Sequence, residues 1–299
     1  MNIKASLKLT VGLLALVASL MPAYASGAKL REDTLEAWER YRALTEERIE
    51  KELGASDGFL VHDYMSASDA AAMRQALASG EIFIKQMQTL NEEGGEVRIP
   101  KGLIHHWYGS ALVPGASLDD VLAWVQDYDN HADYFDEVEE SKLISRSGEV
   151  FDVFLRLRRK KVITVHYNTE HRVTYERRSR DEAVSRSASI RIAEIDHPGT
   201  NREREKPVEN DRGFLWRLSS YWRFRQTPEG VIVECESIGL SRTIPVAFRW
   251  VVQPFITSVP RDSLLATLEP LRDAFRGRGK GALVRSFGDE ARHFRGRAR

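Results

Sequence analysis

Histidines are the side chains of this sequence best suited to acid–base or metal chemistry, and six of the eight lie between residues 101 and 276. Adjacent residues of a strand point to opposite faces, so His105 and His106 cannot both ligate one ion without distortion. A single histidine inside a pocket could act as a general base with Asp127 or Asp129 as its acid partner, but no spacing joins them. The sequence therefore predicts no metal site, no cofactor and no assembled catalytic set.

The only cysteine, Cys235, is expected to be a small core residue. It lies between Glu234 and Glu236, and neighbouring carboxylates raise the pKa of a thiol and oppose its use as a nucleophile. A single cysteine also cannot form an internal disulfide. Serine-nucleophile motifs of the G-x-S-x-G kind are absent from the sequence. These features favour binding over catalysis.

Large aromatic side chains recur on the apolar face of the predicted strands. Aromatic rings line apolar pockets well, and an indole N–H can orient a polar group of a ligand; alternatively, the rings simply fill a core. Arg242 could bind a ligand carboxylate or phosphate, or form a salt bridge with Glu234, Glu236 or an acidic helix. The candidate ligand-binding residues are Trp107, Tyr167, Trp216, Trp222 and Arg242.

One strand, a helical stretch, six further strands and a closing helix must position these residues. Ser117 begins a capping pattern that places acidic residues in the first turn of the helical stretch. Val184, Ala188, Ile190 and Ile192 fall at even positions, which predicts one shared apolar face. Alternation of this kind predicts strands over residues 103–113, 151–157, 163–167, 184–192, 214–224 and 231–235.

Two other segments complete this unit. Residues 197–212 form the one long loop inside the sheet, and such a loop is often either a functional lid or a mobile insertion. After Arg242 the apolar period becomes helical. Pro254, Pro260 and Pro270 are expected to break the closing helix into segments or to kink it.

Residues 26–100 are predicted to form a mainly helical extension packed on the main unit. Asp33–Leu53 has the pattern of an amphipathic helix, and Gly54 ends it. A second helix is predicted over Ala70–Ala78, with Ser68 as its cap. Residues 82–84 favour a short strand.

The chain begins with the pattern of a secretory signal peptide. Lys4 and Lys8 precede an apolar run, and Ala23-Tyr24-Ala25 offers a small-x-small site, so cleavage is expected after Ala25. The apolar run is shorter than the roughly 20 residues of a membrane span, which disfavours a retained anchor. We therefore expect a periplasmic or secreted protein.

Charge is unevenly distributed along the mature chain. Residues 26–275 carry a net charge of −8, whereas residues 276–299 carry +6. Too few apolar residues lie among the arginines and glycines of residues 277–299 to order them, which predicts a disordered tail. The alternative is contact with an anionic membrane surface, where each clustered cation contributes about 1 kcal/mol. Nucleic acid is not an expected partner, because export separates the chain from it.

Short motifs accompany the order of elements. Val113-Pro114 precedes Ser117-Leu118-Asp119-Asp120-Val121, and Asp127-Tyr128-Asp129-Asn130-His131 precedes Tyr134-Phe135. Trp216-Arg217-Leu218, Ser219-Ser220-Tyr221-Trp222 and Leu240-Ser241-Arg242 before Ile244-Pro245 follow later. The set resembles the START/Bet v 1-like (SRPBCC) superfamily, in particular an exported bacterial branch related to its polyketide cyclase-like and coenzyme Q-binding families.

The resemblance covers roughly residues 101–275 and implies an α+β helix-grip fold. Such a fold has a curved antiparallel seven-stranded sheet wrapped on a C-terminal helix. In the superfamily it encloses a cavity for lipids, sterols, quinones or polyketides, and catalytic members are a minority. Asp136 departs from the family pattern, where many relatives carry proline after the aromatic pair. The expected domains are a signal peptide (1–25), a helical extension (26–100), a START-like domain (101–276) and a basic tail (277–299).

The predicted function is that of an exported, non-enzymatic binding or carrier protein. Its ligand would be hydrophobic or amphipathic, such as a lipid, quinone or polyketide-like molecule, held between the sheet and the C-terminal helix. Two alternatives stay open. One is a cyclase- or hydrolase-type enzyme acting in the same cavity, and the other is an envelope interaction protein that uses the basic tail.

Overall fold

The structure is a computed structural model that describes residues 27–160, 164–243 and 249–276, with only the backbone described over residues 249–257. Several predictions concern residues outside these ranges: the signal peptide, the face of Ile163, the segment 244–248 and the basic tail. They stay predictions.

The N-terminal part of the chain is mainly helical. Helix α1 begins and ends within one residue of the helix predicted there. Helix α2 begins earlier than predicted, because Ser66 and not Ser68 is its cap: the Ser66 hydroxyl accepts the Asp69 N–H at 3.2 Å. The elements are β1 (Ala28–Lys29), α1 (Glu32–Gly54), a 3₁₀ turn (Val61–Tyr64), α2 (Ala67–Ala78) and β2 (Phe83–Gln86).

The main unit follows the predicted order of elements. Ser117 and Asp120 form a capping box at the start of the first helix, with Ser117 Oγ accepting the Asp120 N–H at 3.2 Å. The elements are β3 (Gly102–Pro114), α3 (Leu118–Val125), a 3₁₀ turn (Tyr128–Asn130), α4 (His131–Tyr134), β4 (Val138–Ser147), β5 (Val150–Lys160), β6 (Thr164–Arg177), β7 (Glu182–Asp196), β8 (Arg204–Glu205), β9 (Asn210–Asp211), β10 (Arg217–Thr227), β11 (Gly230–Arg242) and α5 (Arg249–Asp273).

One large antiparallel sheet organises the described part of the chain. Its strand order is β2-β3-β11-β10-β7-β6-β5-β4, and β8 pairs with β7. Seven of these strands are long, and six of them overlap the strands predicted from the sequence, whereas β4 had no predicted range. The short strand β2 overlaps the strand predicted at residues 82–84, and β8 is a further short strand. Helix α5 packs mainly on β3 and also on β11. The α+β helix-grip fold is therefore confirmed.

The sheet has an inner face toward α5 and α3 and an outer face toward α1, since side chains alternate along each strand. Gly109 lets α5 lie directly on the inner face of β3. A Cβ atom at this position would lie 2.6 Å from Leu268 Cδ1 and 3.0 Å from Leu264 Cδ2. The inner core includes Ala111, Val113, Val121, Trp124, Phe224, Val231, Val233, Leu264, Leu268, Leu271 and Phe275.

Strand β7 does not keep one apolar face. Its register with β6 shifts between the pairs His171–Ser189 and Glu170–Arg191, so Ile190 is an extra residue that forms a bulge and is 56% exposed. Before the bulge Val184 faces the α1 side, whereas beyond it Ile192 packs with inner-face residues. The expectation of one shared face is wrong because the bulge reverses the alternation.

Helix α5 is continuous from Arg249 to Asp273 despite Pro254, Pro260 and Pro270, so the prediction of separate segments is wrong. Each proline removes one backbone hydrogen-bond donor. The buried leucines of the helix pack against β3, and this tertiary packing outweighs the loss of those bonds. Within the described ranges, no helix combines the length and the apolar character needed to cross a membrane.

A buried polar network joins α1 to the outer face. Arg48 forms an ion pair with Glu236, whose side chain is 1% exposed. His106 Nε2 lies 2.7 Å from the same carboxylate, and His106 Nδ1 lies 2.8 Å from Tyr41 Oη. Burial opposes ionisation of Glu236, but His106 and Arg48 outweigh it and lower its pKa to about 2. Helix α1 is therefore fixed to the sheet by charge as well as by apolar contact.

A second carboxylate of the outer face is satisfied by the chain after α1. Glu234 accepts the Val61 N–H at 2.6 Å and lies 2.8 Å from His62 Nδ1. It also accepts the hydroxyl of Tyr108 from β3. Since Glu234 is 1% exposed, these partners replace the water that it loses.

We predict that Arg48→Met destabilises the protein by about 3 kcal/mol, because it removes the cation beside a buried carboxylate. Arg42→Met is the matched control on the same helix. Arg42 pairs with Glu39 and Glu46 at the surface, where an ion pair contributes under about 1 kcal/mol. Urea unfolding of both variants and the wild type measures the difference. Equal losses of unfolding free energy in the two variants would contradict the larger contribution assigned to the buried Arg48–Glu236 pair.

Candidate ligand-binding cavity

A cavity of about 550 Å³ lies between the inner face of the sheet and helices α3, α4 and α5. Most of its wall is apolar or aromatic. The lining residues from the helices include Trp124, Val125, Phe135, Val259, Leu264 and Leu271, and those from the strands include Val153, Leu155, Leu157, Val165, Val173, Tyr175, Leu218 and Phe224.

Small side chains on the inner face leave the space. The pairing of β7, β10, β11 and β3 places Ser187, Ser220, Ser237 and Trp107 side by side in one cross-strand row. Gly239, on β11, lines the same cavity. This floor was not predicted, although the sequence carries its signal: the small residues lie at the alternate strand positions where large apolar side chains are expected.

Four of the five predicted ligand-binding residues line the cavity: Trp107, Tyr167, Trp222 and Arg242. The indole Nε1 of Trp222 donates to Ser220 Oγ at 3.2 Å, so this group is held by the wall. The Arg242 guanidinium carbon lies 5.9 Å from the centre of the Phe214 ring. The structure therefore brings four of the candidate side chains to the wall of one cavity.

Trp216 is not among the lining residues. It precedes β10 and is buried in the core that α1 forms with the sheet. Its Nε1 donates to Asp211 Oδ1 at 3.2 Å. Placement of Trp216 on the cavity wall was wrong because residues 213–216 do not continue the alternation of the strand, which begins at Arg217.

Three histidines line the cavity: His105, His131 and His171. Burial lowers the pKa of each imidazole to about 4, so all three are neutral near pH 7. His106, by contrast, lies in the outer network. Neighbouring histidines of β3 thus point to opposite faces, as the sequence analysis predicted.

The acidic residues considered as catalytic partners hold local structure. Asp127 accepts hydrogen bonds from the Tyr134 hydroxyl and from Asn130 Nδ2. Asp129 accepts the Leu143 N–H at 2.8 Å. Within residues 27–160, 164–243 and 249–276, no cluster of three or more His, Cys, Asp or Glu residues could hold a metal ion.

Cys235 is buried on the inner face and lines the cavity. Burial, followed by the charge of Glu236, raises the pKa of its thiol well above the ordinary value. The thiol therefore stays protonated and is a poor nucleophile.

Charged side chains occupy one end of the cavity. The β5 end contributes Arg159 and Lys160, and Arg242 lies at the end of β11. Glu137, which forms an ion pair with Arg159, and Asp262 are the carboxylates there. Burial lowers the pKa of Arg159 to about 10, still far above neutral pH. Glu234 and Glu236, suggested as partners of Arg242, lie instead in the outer network.

The chain enters the cavity wall directly after the long loop of residues 197–212. Gly213, Phe214 and Leu215 line the wall just beyond it. Asp211 is 2% exposed, and its Oδ1 accepts the Gly213 N–H at 2.6 Å. Burial raises the pKa of Asp211 to about 6, and the charge of nearby Glu194 acts in the same direction.

The large antiparallel sheet closed by a C-terminal helix around an apolar cavity is the helix-grip architecture predicted from the sequence. Similar solved structures include a STAR-related lipid transfer protein from Xanthomonas axonopodis (14% identity, 64% of this chain and 98% of that chain covered, TM-score 0.42). Another is the Zhui aromatase/cyclase from Streptomyces sp. R1128 (15% identity, 60% of this chain and 99% of that chain covered, TM-score 0.42). A third is the human StarD13 (DLC2) lipid transfer and protein localization domain (10% identity, 72% of this chain and 100% of that chain covered, TM-score 0.40).

These neighbours are of the superfamily predicted from the sequence motifs. At such TM-scores and identities they bear on neither ligand nor activity. No family model matches the chain, and no curated protein matches it.

We predict that Asp211→Asn stabilises the protein at neutral pH. The folded pKa of about 6 lies above the reference value of 3.8. Protonated Asp211 therefore contributes stability that is complete below about pH 4 and is lost as the pH rises through about 6. Asparagine stays neutral, so the variant should exceed the wild type by on the order of 2 kcal/mol at pH 7.5 and match it near pH 4.

Urea unfolding between pH 4 and pH 8 measures this difference. Asp57→Asn is the control, because Asp57 is exposed. If the free energy of unfolding of the wild type changed with pH in parallel with that of Asp211→Asn, the raised pKa assigned to Asp211 would be contradicted.

Proposed function

We propose that this chain is an exported carrier of a hydrophobic or amphipathic ligand, such as a lipid, quinone or polyketide-like molecule, rather than an enzyme. The observation that carries the proposal is the apolar cavity of about 550 Å³ between the sheet and α5. Small-molecule sites usually have volumes of roughly 300–1,000 Å³ and mainly apolar walls. The cavity meets both criteria.

Burial of an apolar ligand supplies the affinity. Each methylene removed from water contributes about 0.8 kcal/mol. A ligand that fills this space would therefore bind without many polar contacts. It would also stabilise the fold, because it binds the folded state alone.

Arg159, Lys160 and Arg242 support an amphipathic ligand. They gather three cations at one end of the cavity, and Glu137 and Asp262 offset only part of that charge. An anionic or strongly polar head group would be favoured there, with the apolar body against the sheet.

The enzyme alternative has one observation in its favour. His105 Nε2 lies 2.8 Å from Ser241 Oγ, and both residues line the cavity. Burial lowers the pKa of His105 to about 4, which makes the imidazole a weak base at neutral pH. Among the described residues no carboxylate hydrogen-bonds to His105 to raise its basicity. The pair therefore supports catalysis less well than the cavity supports binding.

We predict that the purified protein retains an apolar molecule. Native mass spectrometry of gently purified protein should show added mass, and solvent extraction should release it. Consistently empty protein would count heavily against a carrier. A cavity-filling variant provides the direct test with N-phenyl-1-naphthylamine, an apolar fluorescent dye.

Gly239→Phe is the filling variant. A Cβ atom there would have its nearest neighbour at 3.7 Å, and the position lines the cavity, so the ring would occupy ligand space. Dye affinity should fall at least about tenfold, the loss of roughly 1.4 kcal/mol. Ala188→Phe is the control, because Ala188 is exposed on β7. Equal affinities in all three proteins would mean that the dye does not enter this cavity.

Export and membrane contact extend the proposal. The signal-peptide pattern supports a periplasmic or secreted protein, and the +6 charge of residues 276–299 supports contact with anionic lipid. We expect mature protein that begins at Ser26 in the periplasmic fraction. We also expect a chain ending at Phe275 to lose sedimentation with phosphatidylglycerol vesicles. Unprocessed cytoplasmic protein would refute export, and unchanged sedimentation would eliminate the role of the tail.

A further inference from the structure

Two histidines of the cavity wall, His131 and His171, each have one ring nitrogen hydrogen-bonded to the protein. Thr169 Oγ1 donates to the Leu155 carbonyl at 3.0 Å, so it can only accept from His171 Nε2, also at 3.0 Å. His131 Nε2 lies 3.2 Å from the Val125 carbonyl, which is an acceptor only. Both imidazoles therefore carry their proton on Nε2. Because burial keeps each ring neutral, Nδ1 retains a lone pair.

These two Nδ1 atoms lack a protein partner. His171 is 6% exposed and His131 is 8% exposed, and both side chains line the cavity. In the part of the chain that the structure describes, neither Nδ1 atom has a hydrogen-bond partner. Neither atom is among the fully buried polar atoms that lack a partner, so each is reached from the cavity, and a donor carried by a ligand could bond to it there.

A row of hydroxyl groups lies next to His171. Val173, two residues along the same face of β6, is paired with Ser187, the first member of the serine row of β7, β10 and β11. Ser220 in this row accepts the indole N–H of Trp222 and keeps its own proton. Hydroxyl groups both donate and accept, so the row complements another hydroxyl.

We infer that the ligand of this cavity carries a hydroxyl group on an apolar body, and that this hydroxyl donates to His171 Nδ1 beside the serine row. The inference rests on the proposed carrier function and narrows its ligand class. Phenols, hydroxylated polycycles and hydroxylated acyl chains meet the requirement. A plain hydrocarbon leaves the lone pair unpaired, and an ether or ketone offers it only a second acceptor. His131 Nδ1 accepts a further donor where the ligand has one.

A matched pair of fluorescent probes tests the inference. 1-Hydroxypyrene and 1-methoxypyrene share one ring system, and only the first has a hydrogen-bond donor. Fluorescence titration of the wild type at pH 7 should give an affinity about tenfold higher for 1-hydroxypyrene. His171→Phe keeps an aromatic ring without the acceptor, so the preference should fall to within about twofold. His166→Phe is the control, since His166 contacts Glu139 at the surface and does not line the cavity.

The outcomes separate the inference from the carrier function. Equal binding of both probes by the wild type overturns the inference and leaves an apolar carrier. A tenfold preference that persists in folded His171→Phe overturns the assignment of the acceptor to His171. Failure of the wild type to bind either probe argues against the carrier function itself. Should His171→Phe fail to fold, the wild-type comparison still decides whether a donor is recognised.

Discussion

The structure depends on the neutralisation of two buried carboxylates, Glu234 and Glu236, on the outer face of β11. Two acidic side chains at alternate positions of a central strand can be buried only if partners replace their water. The partners come from α1, from the chain after it and from β3: Arg48, Val61, His62, His106 and Tyr108. The N-terminal segment therefore contributes to the same core as the sheet, and the sheet without it would expose an apolar surface crossed by unpaired charge.

The same strands carry the cavity on their inner face. Along β11, Glu234 and Glu236 alternate with Cys235 and Ser237. One side of the strand therefore forms the hydrogen bonds of the outer network, and the other side lines the cavity. Close packing under α1 fixes the backbone positions from which the small inner residues project. Side chains that border a cavity make fewer dispersion contacts than those of a packed core, and the packing under α1 supplies such contacts on the other face of the same strands. Gly109 places α5 as close to β3 as the backbone permits, which closes the far side of the same space.

Much of the architecture could be predicted from local patterns. Alternation and the capping box of Ser117 identified strands and helix starts, because both depend on neighbours within a few residues. Three of the four candidates that line the cavity, Trp107, Tyr167 and Trp222, came from the same alternation. Trp216 was misplaced because β10 begins at Arg217 and not at residue 214 as predicted. The faces of β7 were misassigned because its bulge depends on the pairing with β6. The pairing of Arg48 with Glu236, 188 residues apart, has no local signal at all. Helix propensity likewise does not predict that α5 continues through three prolines, because this continuity depends on tertiary packing.

The bulge at Ile190 makes β7 a strand whose halves serve different cores. Val184 belongs to the core beneath α1, and Ile192 belongs to the wall of residues around Tyr167. Deletion of this one exposed residue would leave every other side chain of β7 on its present face, because the pairs His171–Ser189 and Glu170–Arg191 would then be consecutive. If β7 instead kept Ile190 and paired without the bulge, Ile192 and buried Glu194, which pairs with Lys206 and Arg212, would exchange faces with Ala193 and Ile195. The accommodation of one extra residue as a bulge, more than the identity of residue 190, therefore keeps the two halves of the strand in their separate cores.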